Sequence, residues 1–307
     1  MDIHGAAPAS RPVGLETAQT AGRGGRAAQE LVMPIYEIFG YVVLGVVVGG
    51  FGTLVGAGGG FLLTPVLLLL FPDMPPATVT AVSMTTVLFN STSGSVAYAR
   101  MRRIDFKTGL IFAAAVLPGS VVGTWLTAKT PRALFDVIFG VSILIFAVVI
   151  LIKSRIGDRS GDYDRPGKFR ARRIFVGQNG ERTAFSFNLA LGVLISLGVG
   201  FVSGFLGIGG GILHVPALIF LGFPAHFATA TSHFVLACSS LTSFLIHLLS
   251  GALSHHALMA FLIAGGAVAG AQAGAALSRR IKGSLIMILL AAALILAGVR
   301  ILLSGLL

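Results

Sequence analysis

Charged residues are scarce in this chain. Asp, Glu, Lys and Arg make up 11% of its 307 residues, whereas soluble domains carry about 25%. A chain with so few charges cannot cover a surface that faces water, which excludes an ordinary soluble domain. Acidic residues are the rarer sign, and the formal net charge is +11. In a membrane protein this excess is typical of the Lys and Arg that flank spans on the cytoplasmic side.

Cysteine and the signatures of catalysis are also missing. The single cysteine, Cys238, cannot form an internal disulfide. There is no His-Glu-x-x-His zinc motif and no Walker phosphate-binding loop, and nothing near His255 and His256 completes a set of metal ligands. Aromatic residues are not interleaved with basic ones as base stacking requires. We therefore expect no enzyme, no metal, no cofactor and no nucleic-acid partner.

Long apolar runs are what the chain has instead. Hydrophobic residues make up 55%, the mean hydropathy is +0.92, and runs of about 20 apolar residues, enough to cross a bilayer, recur from end to end. A membrane β-barrel would need alternating apolar and polar residues, which these runs lack. The sequence predicts an all-α polytopic membrane protein. Its predicted segments are 35–54, 61–71, 77–98, 109–128, 134–152, 187–206, 212–223, 227–249, 257–277 and 285–303.

The segments fall into two halves. Residues 1–34 have no continuous apolar stretch and are expected to form a disordered tail. Residues 35–152 and residues 187–307 hold five predicted segments each. Between them, residues 153–186 are rich in Lys and Arg and have no apolar periodicity. They are predicted to be a basic, solvated linker in the cytoplasm.

The two halves repeat one pattern. Residues 56–65 read Gly-Ala-Gly-Gly-Gly-Phe-Leu-Leu-Thr-Pro, and residues 207–216 read Gly-Ile-Gly-Gly-Gly-Ile-Leu-His-Val-Pro. Further along, Thr-Ala-Val-Ser at 80–83 matches Thr-Ala-Thr-Ser at 229–232. Transporters are commonly built from such internal repeats. We therefore predict two homologous five-segment repeats.

Loop charges favour an inverted relation between the repeats. With a cytoplasmic linker and five segments per repeat, the basic loops at 100–107 and 279–282 both face the cytoplasm. The loop at 250–256, which lacks Lys and Arg, then faces outside. The alternative is a four-plus-four parallel arrangement in which the short second segments do not cross. It would bring the basic tail inside and put 279–282 outside.

The glycine triplets predict breaks in two membrane helices. Each glycine costs a helix about 1 kcal/mol relative to alanine, and each triplet is followed by a short apolar segment with a proline. A helix that begins at such a break exposes free N–H groups and the positive end of its dipole, which suits an anion. Close helix packing is the alternative, because glycine lets helices approach in lipid. The predicted anion-binding glycines are Gly58, Gly59, Gly60, Gly209, Gly210 and Gly211.

Polar side chains cluster just after the glycine motifs. Neutral donors suit an anion because each can turn toward it without adding a buried countercharge, although Ser and Thr also bond their own i−4 carbonyls. His233 adjoins the second Thr-Ala-x-Ser and is the best candidate for proton coupling or anion binding. A neutral, hydrogen-bonded histidine is the alternative. The candidate side chains are Ser83, Asn90, Ser232 and His233.

These residues resemble a known family. The paired motifs at 56–65 and 207–216, with Thr-Ala-Thr-Ser-His at 229–233, look like the duplicated signature of the sulfite exporter TauE/SafE permeases. The resemblance covers approximately residues 37–305. It implies a multi-pass permease of the bacterial inner membrane that handles sulfite, sulfonates such as sulfoacetate, or related anions. The first half departs from the second, because Met84 stands where the second half has His233.

The leading hypothesis is secondary transport, as an exporter, of a small sulfur-containing anion across the cytoplasmic membrane. Because the chain has no ATP-binding motif, movement must draw on ion or substrate gradients. One alternative is a permease for a different small anion that is coupled to protons through His233. Another is a non-transporting membrane scaffold, against which the duplicated glycine-broken segments argue.

Overall fold

In the computed structural model of the chain, the structure describes residues 34–156, 170–176, 182–278, 291 and 294–303. The predicted tail lies outside these residues except for its last position. So do the basic loop at 279–282 and the first part of the tenth predicted segment. The chain divides into two units, residues 1–40 and residues 41–307. The second unit contains every element except the start of the first helix.

The described residues form ten helices that correspond to the ten predicted segments. The first half contains α1 (Ile35–Val55), α2 (Gly60–Leu70), α3 (Pro76–Arg100), α4 (Phe106–Thr127) and α5 (Arg132–Ile156). The second half contains α6 (Leu189–Leu206), α7 (Gly211–Phe220), α8 (Ala225–Leu249), α9 (Ala257–Leu277) and α10 (Leu294–Leu303). Within the described ranges, five helices (α1, α4, α6, α8 and α9) are long and apolar enough to cross a membrane.

A β-hairpin corrects the all-α prediction. Strands β1 (Arg170–Val176) and β2 (Arg182–Asn188) pair antiparallel, and all but the last two residues of β2 lie in the segment 153–186 that was predicted to be a solvated linker. Helix α6 begins at Leu189, two residues later than its predicted segment. Phe185 and Phe187 are buried, because the alternating side chains of β2 point its phenylalanines into the protein. The fold is therefore mostly helical with one hairpin.

Helices α3 and α8 pack against each other in opposite directions. Thr80, near the start of α3, lies 3.3 Å (Oγ1 to Nε2) from His247, near the end of α8. Gly94, near the end of α3, lies against the ring of His233, which is in the first half of α8. Each of these central helices also packs on a helix of the other half, α3 on α9 and α8 on α4. The two halves are therefore interleaved.

Small residues bring other helices of the two halves together. A Cβ placed on Gly45 of α1 would lie 2.0 Å from the carbonyl oxygen of Ile263 in α9. On Gly119 of α4 it would lie 2.2 Å from the carbonyl oxygen of Leu197 in α6. Such backbone contact is how glycine supports helix packing in lipid, where apolar surfaces gain little from associating.

The outer surface is apolar and the interior holds the polar groups. Exposed positions on α4, α6 and α8 carry large apolar side chains, including Trp125, Leu194 and Leu245. Many Ser, Thr, Asn and His side chains are buried instead. This distribution is the reverse of a water-soluble domain, whose interior is apolar, and it suits a protein surrounded by lipid.

Candidate functional site

Both glycine motifs interrupt the helices in which they lie. Helix α1 ends at Val55 and α2 begins at Gly60, while α6 ends at Leu206 and α7 begins at Gly211. The intervening glycines have positive φ, a region that glycine alone occupies without strain. The values are 84°, 78° and 82° at Gly56, Gly58 and Gly59, and 68°, 80° and 65° at Gly207, Gly209 and Gly210.

The two breaks contact each other through their backbones. A Cβ on Gly60 would lie 2.9 Å from the carbonyl oxygen of Gly207. In the reciprocal contact, a Cβ on Gly211 would lie 2.4 Å from the carbonyl oxygen of Gly56. The structure therefore brings the two glycine motifs, residues 56–60 and 207–211, together in one buried backbone junction.

The middles of α3 and α8 cover this junction. The side chain of Val87 in α3 comes within 3.2 Å of a Cβ placed on Gly58 and within 2.9 Å of one placed on Gly209. The side chain of Leu236 in α8 comes within 2.7 Å of the Cβ position on Gly58. With Met84 they form a small buried apolar cluster. Because each 25-residue helix passes the breaks near its midpoint, the junction lies midway along the two central helices.

The short helices begin at the junction without a side-chain cap. Neither Gly59, the N-cap of α2, nor Gly210, the N-cap of α7, provides a capping hydrogen bond. The first N–H groups of a helix have no partner within it, and the helix dipole places partial positive charge there. Both N-termini are buried.

At the start of α7, the N–H groups of Gly211, Leu213 and His214 already donate to the carbonyls of Gly209 and Gly210. The Ile212 N–H, like the Gly60 and Phe61 N–H groups of α2, has no backbone acceptor among the described residues. These amides are the donors that the breaks offer to a negatively charged group.

No formal charge is buried beside the junction in the described part of the chain. The buried carboxylates there are Asp105 and Asp136, and both lie at helix ends. Asp105 pairs with Arg173 at 3.1 Å and Asp136 with Arg132 at 2.7 Å. The electrostatics of the junction therefore come from backbone dipoles and neutral side chains.

Ser83 contacts the break of the opposite half. Its hydroxyl donates to the carbonyl oxygen of Gly207 at 2.6 Å, and Thr64 Oγ1 donates to the same oxygen at 2.9 Å. The two hydroxyls are also 2.9 Å apart. Ser83 thus ties α3 to the second break, and its proton is already used by the protein.

Asn90 and His233 meet at Thr53, the residue that sequence reasoning missed. Thr53 Oγ1 donates to Asn90 Oδ1 at 3.1 Å and lies 3.3 Å from His233 Nε2. The Tyr98 hydroxyl donates to the Thr53 carbonyl oxygen at 2.9 Å. The Tyr98 and His233 rings are nearly perpendicular, with 5.5 Å between their centroids. Asn90 Nδ2 is buried and has no acceptor among the described residues. A threonine in an apolar run just before the glycine motif was the available signal.

Ser232 lies apart from that group. Its hydroxyl is 3.3 Å from Nδ1 of His214, and His214 Nε2 is 3.2 Å from Ser196 Oγ. The Phe112 ring packs against the His214 imidazole, with 5.8 Å between the ring centroids and 79° between the ring planes. Ser232 and His214 therefore form a separate buried hydrogen-bonded set within the second half.

A second group of hydroxyls lies between α4 and α8. Ser243 Oγ is 2.9 Å from Ser120 Oγ and 2.8 Å from Thr124 Oγ1. Ser120 also donates to the carbonyl of Ser239 at 3.1 Å. Ser203 and Ser239 are buried, and neither hydroxyl has a partner among the described residues. Scattered serines in apolar runs gave no pattern that could predict this group.

Metal ligands do not converge in the described part of the chain. No group of three His, Cys, Asp or Glu residues there could hold a metal ion. The buried histidines each contact hydroxyl groups instead. The chemistry available at the junction is hydrogen bonding by neutral donors.

Comparison with known proteins identifies the family. The sulfite exporter TauE/SafE family matches residues 41–301. The probable membrane transporter protein YunE of Bacillus subtilis is 32% identical over 271 residues, covering 86% of this chain and 97% of that protein. The probable membrane transporter protein MJ0441 of Methanocaldococcus jannaschii is 26% identical over 223 residues, 71% of this chain and 73% of that protein.

A further relative agrees with these matches. A probable membrane transporter protein of Haemophilus influenzae is 27% identical over 229 residues, 74% of this chain and 80% of that protein. No solved structure matches the chain significantly. The family match and the coverage of the first relative lead to one conclusion: the chain belongs to the sulfite exporter TauE/SafE family.

Proposed function

We propose that this protein is a secondary transporter that exports a small sulfur-containing anion, such as sulfite or an organosulfonate, across the inner membrane of a bacterium. The observation that carries the proposal is the buried junction of two uncapped helix N-termini in surroundings without formal charge. Relatives named as membrane transporters support the transport part. Catalysis is not part of the proposal.

The proposed anion site is the junction itself. Amides near Gly58–60 and Gly209–211 supply donors at the positive ends of α2 and α7. Around them, Asn90 has a buried amide group without an acceptor. His233 is fully buried and close enough to share a hydrogen bond with Thr53. Ser83 donates to the Gly207 carbonyl, and Ser232 lies beside His214. Both hydroxyls would become donors to the anion only when the helices move.

An inverted repeat gives the site a way to alternate its access. The antiparallel packing of α3 and α8, which carry the matching Thr-Ala-x-Ser sequences, supports this arrangement. Helices related by a two-fold axis along the membrane normal would run parallel, whereas an axis in the membrane plane reverses them. Rocking of one five-segment repeat against the other would then open the junction to each side in turn.

Flux measurements test the proposal. The protein is reconstituted in proteoliposomes, and uptake of sulfite and sulfoacetate is compared between wild type and Gly210→Leu. The matched control is Gly265→Leu, because Gly265 is an exposed helical glycine whose Cβ position meets nothing within 4 Å. We expect flux to fall at least tenfold, or about 1.4 kcal/mol, only in Gly210→Leu. Equal flux in all three proteins would remove the junction from the mechanism.

A proton-coupled permease for a different small anion is the second candidate. The position of His233 in the interior, within hydrogen-bond distance of Thr53, is the observation that supports it, since an ionisable side chain inside a membrane span is a candidate for proton transfer. An imposed pH gradient should then drive anion flux in wild type and not in His233→Ala. Full proton dependence in the variant would exclude His233 as the coupling group. Purified protein that moves no anion under any gradient would instead favour a scaffold.

A further inference from the structure

The two breaks differ in the side chains that face them. The repeated motif aligns Gly59 with Gly210, and seven residues earlier it aligns Gly52 with Ser203. Beside Gly59, the Cβ position is 3.0 Å from both the Cγ1 and the carbonyl oxygen of Val48. Beside Gly210, it is 2.9 Å from the Cγ1 of Val199, which aligns with Val48, and 2.9 Å from the Cβ and 3.3 Å from the Oγ of Ser203. Both starts therefore face a valine methyl group, but the start of α2 also faces a carbonyl acceptor, whereas the start of α7 also faces a hydroxyl donor.

The Ser203 hydroxyl is unusual because it is buried and unpartnered. Ser203 is 1% exposed, and its Oγ has no hydrogen-bond partner in the described residues. Burying an unsatisfied hydroxyl costs about 1–3 kcal/mol, so such groups are rare unless something else satisfies them. Most hydroxyls of the neighbouring helices do find acceptors in the protein, as Ser240 does on the Leu236 carbonyl at 2.6 Å.

A second unpartnered hydroxyl lies on the helix that covers α7. Ser239 is 3% exposed and its Oγ also has no partner in the described part of the chain. It lies one helical turn after Leu236, whose side chain comes within 2.9 Å of the Cβ position on Gly211, the first residue of α7. Leu236 also comes within 2.7 Å of the Cβ position on Gly58. The contact of Ser203 with Gly210 therefore assigns the site to α7, and Ser239 is one turn from a residue that touches both breaks.

We propose that the two halves divide the work unequally, and that the second half binds the anion. In this site an oxyanion accepts hydrogen bonds from the Ile212 amide, which has no backbone acceptor at the start of α7, and from Ser203, with Ser239 as a further donor. The break of the first half, which presents the Val48 carbonyl to Gly59, supports the junction by packing. This inference rests on the proposed anion transport and names the residues that hold the anion.

Sulfite binding to the purified full chain tests this assignment. Titration calorimetry in detergent compares wild type, Ser203→Ala and Ser239→Ala with the control Ser240→Ala, whose hydroxyl bonds its own helix. Losing one hydrogen bond to a charged group should weaken sulfite binding about tenfold or more. We expect this loss for Ser203→Ala, a smaller loss for Ser239→Ala, and no change for Ser240→Ala. Ser203→Thr, which keeps the hydroxyl, should bind more tightly than Ser203→Ala.

The outcomes separate this inference from the proposed function. Saturable sulfite binding that is equal in wild type and Ser203→Ala would overturn the assignment and leave anion transport standing. If wild type binds neither sulfite nor sulfoacetate, both proposals fall. If Ser203→Ala lowers the melting temperature without ligand, Ser203→Cys serves in its place, because a thiol has nearly the same size and is a weak donor. Unchanged affinity in that variant would likewise overturn the assignment.

Discussion

Thr53 has one hydroxyl proton and two neighbours that could use it. Since the hydroxyl donates to Asn90 Oδ1, its oxygen is left to accept from His233 Nε2. A neutral His233 in this arrangement therefore carries its proton on Nε2. The three side chains come from α1, α3 and α8, so one hydroxyl connects three helices close to the junction.

Replacing Thr53 by valine should destabilise the protein more than replacing a threonine with a local partner. Thr53→Val leaves Asn90 Oδ1 and His233 Nε2 unpaired, at a cost on the order of 2 kcal/mol. The control is Thr85→Val, since Thr85 is equally buried but bonds only the Ala81 carbonyl of its own helix at 2.8 Å. Thermal unfolding in detergent measures both. Equal losses would contradict the shared role of Thr53.

Arg102 offers a stabilising substitution. It follows α3 and has a φ of 54°. Within the described ranges it is the single non-glycine residue with a positive φ. Because a Cβ is disfavoured in that conformation, Arg102→Gly should stabilise the protein by up to about 1 kcal/mol. Arg102→Ala removes the same charge but keeps the Cβ, so it should give no gain. A melting temperature that rises equally in both variants would assign the effect to charge.

At the scale of elements, the hairpin attaches the linker to the helices. The ring centroid of Phe187 in β2 lies 4.5 Å from that of Phe223 and 6.3 Å from that of Phe112 in α4. On β1, Arg173 Nε donates to Asp105 Oδ2 at 3.1 Å. Asp105 is the N-cap of α4, and its own N–H donates to Thr231 of α8 at 3.1 Å. The hairpin thereby contacts α4 and, through Phe185 and Phe227, also α8, which is one of the two helices that cover the junction.

Truncating the buried face of the hairpin should release it. Phe187→Ala removes a fully buried ring, which typically costs about 3–5 kcal/mol. Ile174→Ala is the matched control, because Ile174 lies on the same hairpin and is 61% exposed. Limited proteolysis of the linker should be faster only in Phe187→Ala. Equal cleavage rates in the two variants would show that the aromatic packing does not hold the hairpin.

Helices and breaks were predictable from the sequence, whereas the hairpin was not. Apolar length and glycine triplets are patterns along the chain, so they predicted the first nine segments and the two interruptions close to their structural positions. The strands are only seven residues each, and their pairing depends on phenylalanines that find partners on other helices. Their basic composition is equally typical of a solvated loop.

The site was predictable in its backbone and less so in its side chains. The two glycine motifs lie against each other, with Gly60 beside Gly207 and Gly211 beside Gly56, while anion binding by the glycines stays a prediction. Thr53, however, finds Asn90 and His233 across 37 and 180 residues of sequence. No local pattern encodes such separations, because they arise only when helices of both halves pack. Ser83 and Ser232 were singled out with the same logic, and each is engaged by a different partner.

For the whole molecule, an inverted repeat makes a prediction about sidedness. The chain has a single cysteine, so Cys238→Ala provides a background without thiols. In that background, Arg102→Cys and Ser254→Cys place a thiol in exposed loops that join the third and fourth helix of each half. A membrane-impermeant maleimide added to intact cells should label only Ser254→Cys. After permeabilisation, both variants should react.

Labelling of both loops, or of neither, in intact cells would favour the parallel arrangement. A parallel pair of repeats places equivalent loops on the same side, so the two variants would behave alike. The assay does not depend on the transported substrate. It therefore tests the architecture independently of the proposed anion.

Main-chain atoms alone form the reciprocal contact between Gly60 and Gly207 and between Gly211 and Gly56. A surface without side chains offers nothing that a substitution could retune, since any added atom would collide with the facing carbonyl. Differences in cargo between proteins built on this plan must then come from residues on the flanking helices. We expect engineered changes of selectivity to succeed at the hydroxyl and amide positions around the glycines, and to fail at the glycines themselves.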